Sequence, residues 1–135
     1  MSNNAIERVR AIALSLPEVN ERLSHGAPSF FLRDKRPICY FHDADFAGDG
    51  RVSLMCPAPP GAQAFRVALD PKVFFAPTPS ASGVFRDWIG VYVDRLHQSE
   101  CGWHGITDVI EDAYRVVAPK KLIAELDARN IRDQT

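Results

Sequence analysis

The sequence predicts an α+β fold in which helices pack on an antiparallel sheet. The predicted elements follow the order helix, three strands, helix, one or two strands and two final helices, which is the order of an α+β protein. Apolar residues make up 46% of the chain and charged residues 24%, as in ordinary globular proteins. The length of 135 residues fits a single domain over 1–135, with residues 130–135 expected to form a frayed tail.

The first half of the chain is predicted to contain one main helix and three strands. In order, the elements are a helix over 4–16, a short helical piece over 18–23, and strands over 29–33, 38–42 and 51–56. The first helix has apolar residues at helical spacing, and Pro17 ends it. The first two strands are joined by Asp34-Lys-Arg-Pro37, which has the composition of a turn.

The second half is predicted to consist of helices with one clear strand. The elements are a helix over 62–69, a strand over 85–94, and helices over 105–117 and 119–129. In the strand, Trp88, Gly90 and Tyr92 share one face, and the glycine leaves a gap that a helix of the same domain is expected to fill. The alternative is the close approach of a backbone or a flat ligand. Pro119 is placed at the first position of the last helix.

Composition limits the compartment and the partners. A formal net charge of −1 lacks the basic excess usual in nucleic-acid-binding proteins, so any such binding requires a local basic patch. No apolar run approaches the ~20 residues that span a bilayer, and no membrane partner is expected. Cys39 and Cys56 lie in apolar surroundings and are interpreted as buried free thiols, which favours a cytoplasmic location.

The first candidate site is the pair Lys120 and Lys121. The first turn of the last helix is where the helix dipole disfavours cations, so two lysines there break a local rule. Unpaired amides together with two ammonium groups suit a phosphate or a carboxylate. The alternative is two solvated lysines, or one lysine paired with an acid such as Glu125 on the same helix.

The second candidate site is the hairpin turn, where Arg33, Lys35 and Arg36 crowd together. Arg51 is expected on a neighbouring strand. Basic side chains at such a turn can hold a nucleic-acid backbone without reading its sequence. The alternative is a turn charged for solubility alone. If the turn does bind a polyanion, its cations, Arg51 and the two lysines of the last helix must lie on one connected face.

No catalytic residue, cofactor or metal is predicted. The sequence has no Gly-x-Ser-x-Gly nucleophile motif and no glycine-rich phosphate loop. Cys101 and His104 form an isolated pair, whereas zinc requires three or four converging ligands.

The sequence resembles the YjbR/MmcQ-like family of small, uncharacterised bacterial proteins. The matching positions are Leu16-Pro17, Asp70-Pro71, Phe75, Trp88, Asp94, Tyr114 and Ala118-Pro119-Lys120. The resemblance implies a fold similar to type III secretion chaperones and to the double-wing DNA-binding domain of a phage transcription factor, and it implies no catalytic residue. Two departures are Arg86-Asp87 before Trp88, where a glycine is more usual, and a longer link over 96–105.

These observations favour a non-enzymatic binding module with nucleic acid, specifically DNA, as the partner of its basic patch. The alternative is a small-molecule or peptide-binding domain of the secretion-chaperone type, which would form a homodimer through an exposed sheet face. Strong salt dependence would indicate the first, and a dimer that persists in high salt would indicate the second. The ligand and the biological process stay open.

Overall fold

The computed structural model describes residues 2–43, 50–79, 81–83, 85–98 and 102–133. The helices are α1 (Ser2–Leu14), α2 (Ala62–Leu69), α3 (Gly102–Val117) and α4 (Lys120–Asp133), with a 3₁₀ helix over Val93–Gln98. The strands are β1 (Val19–Ser24), β2 (Ala27–Leu32), β3 (Arg36–His42), β4 (Ser53–Cys56), β5 (Phe74–Phe75) and β6 (Ile89–Tyr92). They form one antiparallel sheet in the order β1-β2-β3-β4-β6-β5. The predicted α+β class is therefore confirmed.

The hydrophobic core lies between the sheet and the helices. Helix α3 packs on β3 and β4, and α1 packs on α3 and β1. Helix α4 contributes Leu122 and Leu126, both of which are buried. Cys39 and Cys56 are buried and free, as predicted, and burial raises the pKa of the Cys39 thiol. These thiols therefore serve as small apolar core residues.

The opposite face of the sheet carries aromatic rings. The rings of Tyr40 and Trp88 stack with their centroids 5.6 Å apart, and Phe75 stacks on Tyr92 at 4.4 Å. Gly90 pairs with Phe75 across β5 and β6, and a Cβ at Gly90 would overlap the Phe75 ring. The gap predicted beside Gly90 is thus filled from the same domain, but by the aromatic side chain of a neighbouring strand and not by a helix as expected.

The helical interpretation of 18–23 is wrong. Val19–Ser24 forms strand β1, which pairs with β2 from Val19 opposite Leu32 to Ser24 opposite Ala27. Glu18 has a left-handed φ of 62°, which ends the preceding helical turn and starts the chain in a new direction. Pairing with a neighbouring strand decides the conformation of this short segment, because its own periodicity is too brief to do so.

The strand predicted over 85–94 is shorter than expected. Phe85 and Asp87 have φ values of 73° and 66°, and this left-handed backbone cannot continue a strand. Strand β6 therefore begins at Ile89, and the 3₁₀ helix follows it from Val93. Helix α4 continues to Asp133, beyond the predicted end at residue 129. The predicted bounds of α2 agree with the structure.

Candidate functional site

A groove of about 620 Å³ lies between the β2–β3 turn and the junction of α3 with α4. We call it the basic groove. The lining residues are Leu32, Arg33, Lys35, Arg36, Val116, Val117, Ala118 and Pro119. One wall therefore comes from the hairpin and the other from the end of α3, two segments that are far apart in sequence.

The hairpin wall is built by a tight turn. Arg33 and Asp34 have φ values of 52° and 60°, and two consecutive positive φ values are the pattern of a type I′ turn. The Asp34 carboxylate turns towards β1, where it accepts hydrogen bonds from Asn20 (3.0 Å) and Arg22 (2.7 Å). These two donors lower the pKa of Asp34. Its negative charge is therefore compensated by β1.

The helical wall ends at Pro119, directly before α4 begins. The carbonyl oxygen of Pro119 accepts hydrogen bonds from the amides of Leu122 (3.0 Å) and Ile123 (3.1 Å). Pro119 is therefore the N-cap residue, and Lys120 and Lys121 are the first two helical residues. The prediction that Pro119 occupies the first helical position is wrong by one residue. Both lysines still lie in the first turn, where the backbone amides lack intrahelical acceptors.

Direct contacts join the hairpin to the helical junction. The Arg36 guanidinium donates from Nη1 to the carbonyl oxygen of Val117 at 3.1 Å. The Arg33 guanidinium contacts both carboxylate oxygens of Glu18, at 2.7 and 3.3 Å. Arg33 and, more weakly, Lys121 lower the pKa of the Glu18 carboxyl. The two candidate sites of the sequence therefore lie on the same side of the molecule.

The chain has four lysines, and Lys35, Lys120 and Lys121 lie at or beside the basic groove. The fourth, Lys72, precedes β5 at the far edge of the sheet. All four are exposed. Within the described ranges, no side-chain hydrogen bond or ion pair engages the three groove lysines. Their ammonium groups are therefore available to a ligand from solution, apart from the attraction between Lys121 and Glu18.

Arg51 lies at the other end of the sheet. It precedes β4, whose first residue, Ser53, is opposite His42 at the end of β3. The start of β3, at Arg36, is beside the basic groove, and a strand of this length spans roughly 20 Å. The expectation of one connected basic face therefore does not hold for Arg51. The reason is the strand order, which puts the start of β4 beside the end of β3.

Two features of the site were missed by the sequence analysis. Glu18 was assigned to a helical piece, although it supplies the one carboxylate that the structure pairs with Arg33. Val116 lies outside the apolar stripe of α3, yet it lines the basic groove and is 46% exposed. The signal available in the sequence was an apolar residue that lies near a helix end and outside the apolar stripe of that helix.

Several residues that carry the family resemblance serve the fold. The Tyr114 hydroxyl donates to the carbonyl oxygen of Pro17 at 2.8 Å and so ties α3 to the link between α1 and β1. Burial raises the pKa of Tyr114 to about 12. Asp94 is paired with Arg51 at 3.4 Å. These contacts explain the residue types without a catalytic role.

The described residues show neither a cluster of metal ligands nor a membrane-spanning helix. No three His, Cys, Asp or Glu side chains converge as metal ligands in the part of the chain that the structure describes. Cys101, one half of the pair noted in the sequence, lies outside the described residues. None of the described helices has the length and the apolar character needed to cross a bilayer.

Comparison with known proteins identifies the fold. The sequence matches no protein-family model and no curated protein. The fold is similar to the crystal structure of the Deinococcus radiodurans protein DR2400, which carries the domain DUF419, with a TM-score of 0.65. The sequence identity is 15%, over 90% of this chain and 87% of that one. At this identity the likeness shows a shared α+β fold and nothing about ligands.

Proposed function

We propose that this protein is a cytoplasmic, non-enzymatic module that binds the phosphate backbone of nucleic acid in the basic groove. The observation that carries the proposal is the position of three exposed lysines at or beside one groove, with no side-chain hydrogen bond or ion pair to the described residues. The resemblance to the YjbR/MmcQ-like family, of which we propose the chain to be a member, supports the same function through the double-wing DNA-binding fold that it implies.

Charge and geometry both favour phosphate as the bound group. Lysine ammonium groups hold phosphate as point charges, and charge-assisted hydrogen bonds are roughly twice as strong as neutral ones. Lys120 and Lys121 add the free amides of a helix N-terminus, which are directed at anions. A net charge of −1 leaves the rest of the surface without attraction for a polyanion, so binding should depend on the basic groove.

Salt titration of binding tests this proposal. Fluorescence anisotropy of a labelled oligonucleotide gives the affinity of the wild type, of Lys120→Gln/Lys121→Gln and of the control Lys72→Gln. Each phosphate contact adds about −0.7 to −0.9 to the slope of log affinity against log salt. The double variant is expected to bind more weakly with a shallower slope, and Lys72→Gln to bind like the wild type. Equal losses in both variants would contradict the proposal.

A protein partner is the second candidate, and exposed apolar residues on α2 favour it. Phe65 and Leu69 lie one turn apart on this helix and are 67% and 64% exposed. Exposed apolar pairs of this kind are typical of protein-binding surfaces. The secretion-chaperone alternative predicts a homodimer that persists in high salt, which sedimentation would detect. Loss of dimerisation in Phe65→Ser would then assign the interface to α2.

A further inference from the structure

The basic groove is lined by apolar residues as well as by cations. Its apolar lining consists of Leu32, Val116, Val117, Ala118 and Pro119. Val116 is 46% exposed and Pro119 is also exposed, so the lining is open to a ligand. Phosphate contacts alone give no reason for exposed apolar side chains between the cations. The ligand that complements this groove has an apolar, flat part next to its negative charge.

Arg36 supplies a planar group in the same groove. Its guanidinium is held by the hydrogen bond to the Val117 carbonyl oxygen, on the wall that the apolar lining shares. An arginine fixed in this way offers the face of its guanidinium, on which unpaired bases stack in nucleic-acid complexes. The volume of about 620 Å³ lies within the roughly 300–1,000 Å³ of sites that hold small organic groups.

We propose that the basic groove holds one unstacked nucleotide of a single-stranded nucleic acid. The base lies on the apolar lining against Arg36, and the flanking phosphates contact Lys35 on one side and Lys120 and Lys121 on the other. This inference rests on the proposed function and names its substrate class. Duplex DNA fits less well, because its bases are already stacked and paired and cannot reach the apolar lining.

Probes that differ only in their bases test the inference. Anisotropy titrations compare a short oligothymidine strand, a duplex of the same length, and an abasic strand of the same length and charge. The thymidine strand is expected to bind about 5-fold or more tightly than the abasic strand, because each stacked base contributes to affinity. Equal affinity for these two strands, with salt dependence retained, would overturn the inference and leave the proposed function intact. If none of the three probes binds, the proposed function fails.

A substitution in the apolar lining provides a second test of the inference. Val116→Asn keeps the charge and changes an exposed side chain, and the matched control is Leu23→Asn on β1, whose leucine is 70% exposed. Val116→Asn should lower the affinity for the thymidine strand towards that for the abasic strand and leave the abasic strand unaffected. Leu23→Asn should change neither affinity. A free thymidine mononucleotide that competes as tightly as the strand, or a duplex preferred over the strand, would overturn the inference.

Discussion

Basic residues lie near both ends of strand β3, and the two groups differ in the contacts that their side chains make within the fold. At the end near His42, Arg51 pairs with Asp94 at 3.4 Å, and its guanidinium lies 5.0 Å from the centre of the Tyr92 ring. Arg95 contacts the same ring at 4.9 Å. These cations are part of the packing of the fold. At the other end, the three lysines of the basic groove make no side-chain hydrogen bond or ion pair in the described part of the chain.

This difference follows residue type: the arginines make contacts within the fold, and the groove lysines are accessible to a ligand. Arginine has a planar group that pairs with carboxylates and stacks on rings, so it is suited to internal contacts. Lysine is a compact charge on a flexible stem, and it stays hydrated when no anion is near. In this protein Arg33, Arg36 and Arg51 all contact other parts of the fold, whereas three of the four lysines cluster where a ligand can reach them.

The largest effect should come from the core residue that anchors the lysine-bearing helix. Leu122 is 1% exposed, and Leu122→Ala should lower the free energy of unfolding by about 2–5 kcal/mol. The control Ile131→Ala changes a side chain that is 64% exposed on the same helix, and it should stay within about 0.5 kcal/mol. Urea denaturation measures both. Similar losses in the two variants would show that α4 is not held by this packing.

The aromatic face at the Arg51 end can be disturbed separately. Gly90→Ala introduces a Cβ into the position of the Phe75 ring, which must move away from its stack with Tyr92. Stability should fall by roughly 1–3 kcal/mol, while oligonucleotide affinity at the basic groove stays unchanged. The same change in a Phe75→Leu background should cost less, because the shorter side chain leaves room. An equal cost in both backgrounds would contradict the overlap.

Tyr114 gives a pH-dependent effect near the groove. Its pKa is raised to about 12 in the folded state, against about 10 in an unfolded chain. Folding thus favours the neutral phenol, so its contribution is complete below about pH 10 and is lost as the pH rises towards 12. Tyr114→Phe should lower the free energy of unfolding by about 0.5–1.5 kcal/mol at neutral pH, because the hydrogen bond to the Pro17 carbonyl oxygen is lost. The variant should also lack the alkaline decline in stability of the wild type. Identical alkaline unfolding profiles would refute the assignment.

Glu18 should give the smallest effect. Its carboxylate pairs with Arg33 and attracts Lys121, so it competes with a bound phosphate. Glu18→Gln should raise oligonucleotide affinity by about twofold, the size expected of an exposed charge pair. The lowered pKa means that the stability from this pair is present above the usual carboxyl pKa and is lost as the pH falls through the folded value. Weaker binding by the variant would exclude this competition.

The sequence could predict the element types better than the contacts between them. Helices α2 and α3 follow from local periodicity, and their prediction is confirmed, although α3 begins at Gly102 and not at residue 105. Strand β1 could not be predicted, because its conformation depends on pairing with β2. The basic groove depends on contacts such as Arg36 to Val117, which are 81 residues apart, and no local pattern reports such a meeting. For the same reason, the sequence analysis wrongly grouped Arg51 with the cations of the basic groove.

Amine footprinting tests the central claim most directly, since the chain contains its own control. An amine-reactive reagent modifies the exposed lysines of the free protein and of the protein saturated with a single-stranded oligonucleotide, and mass spectrometry reports the extent at each site. We predict that the oligonucleotide protects Lys35, Lys120 and Lys121 and leaves Lys72 unchanged. Protection of Lys72 to the same extent, or no protection at the three groove lysines under saturation, would contradict the account.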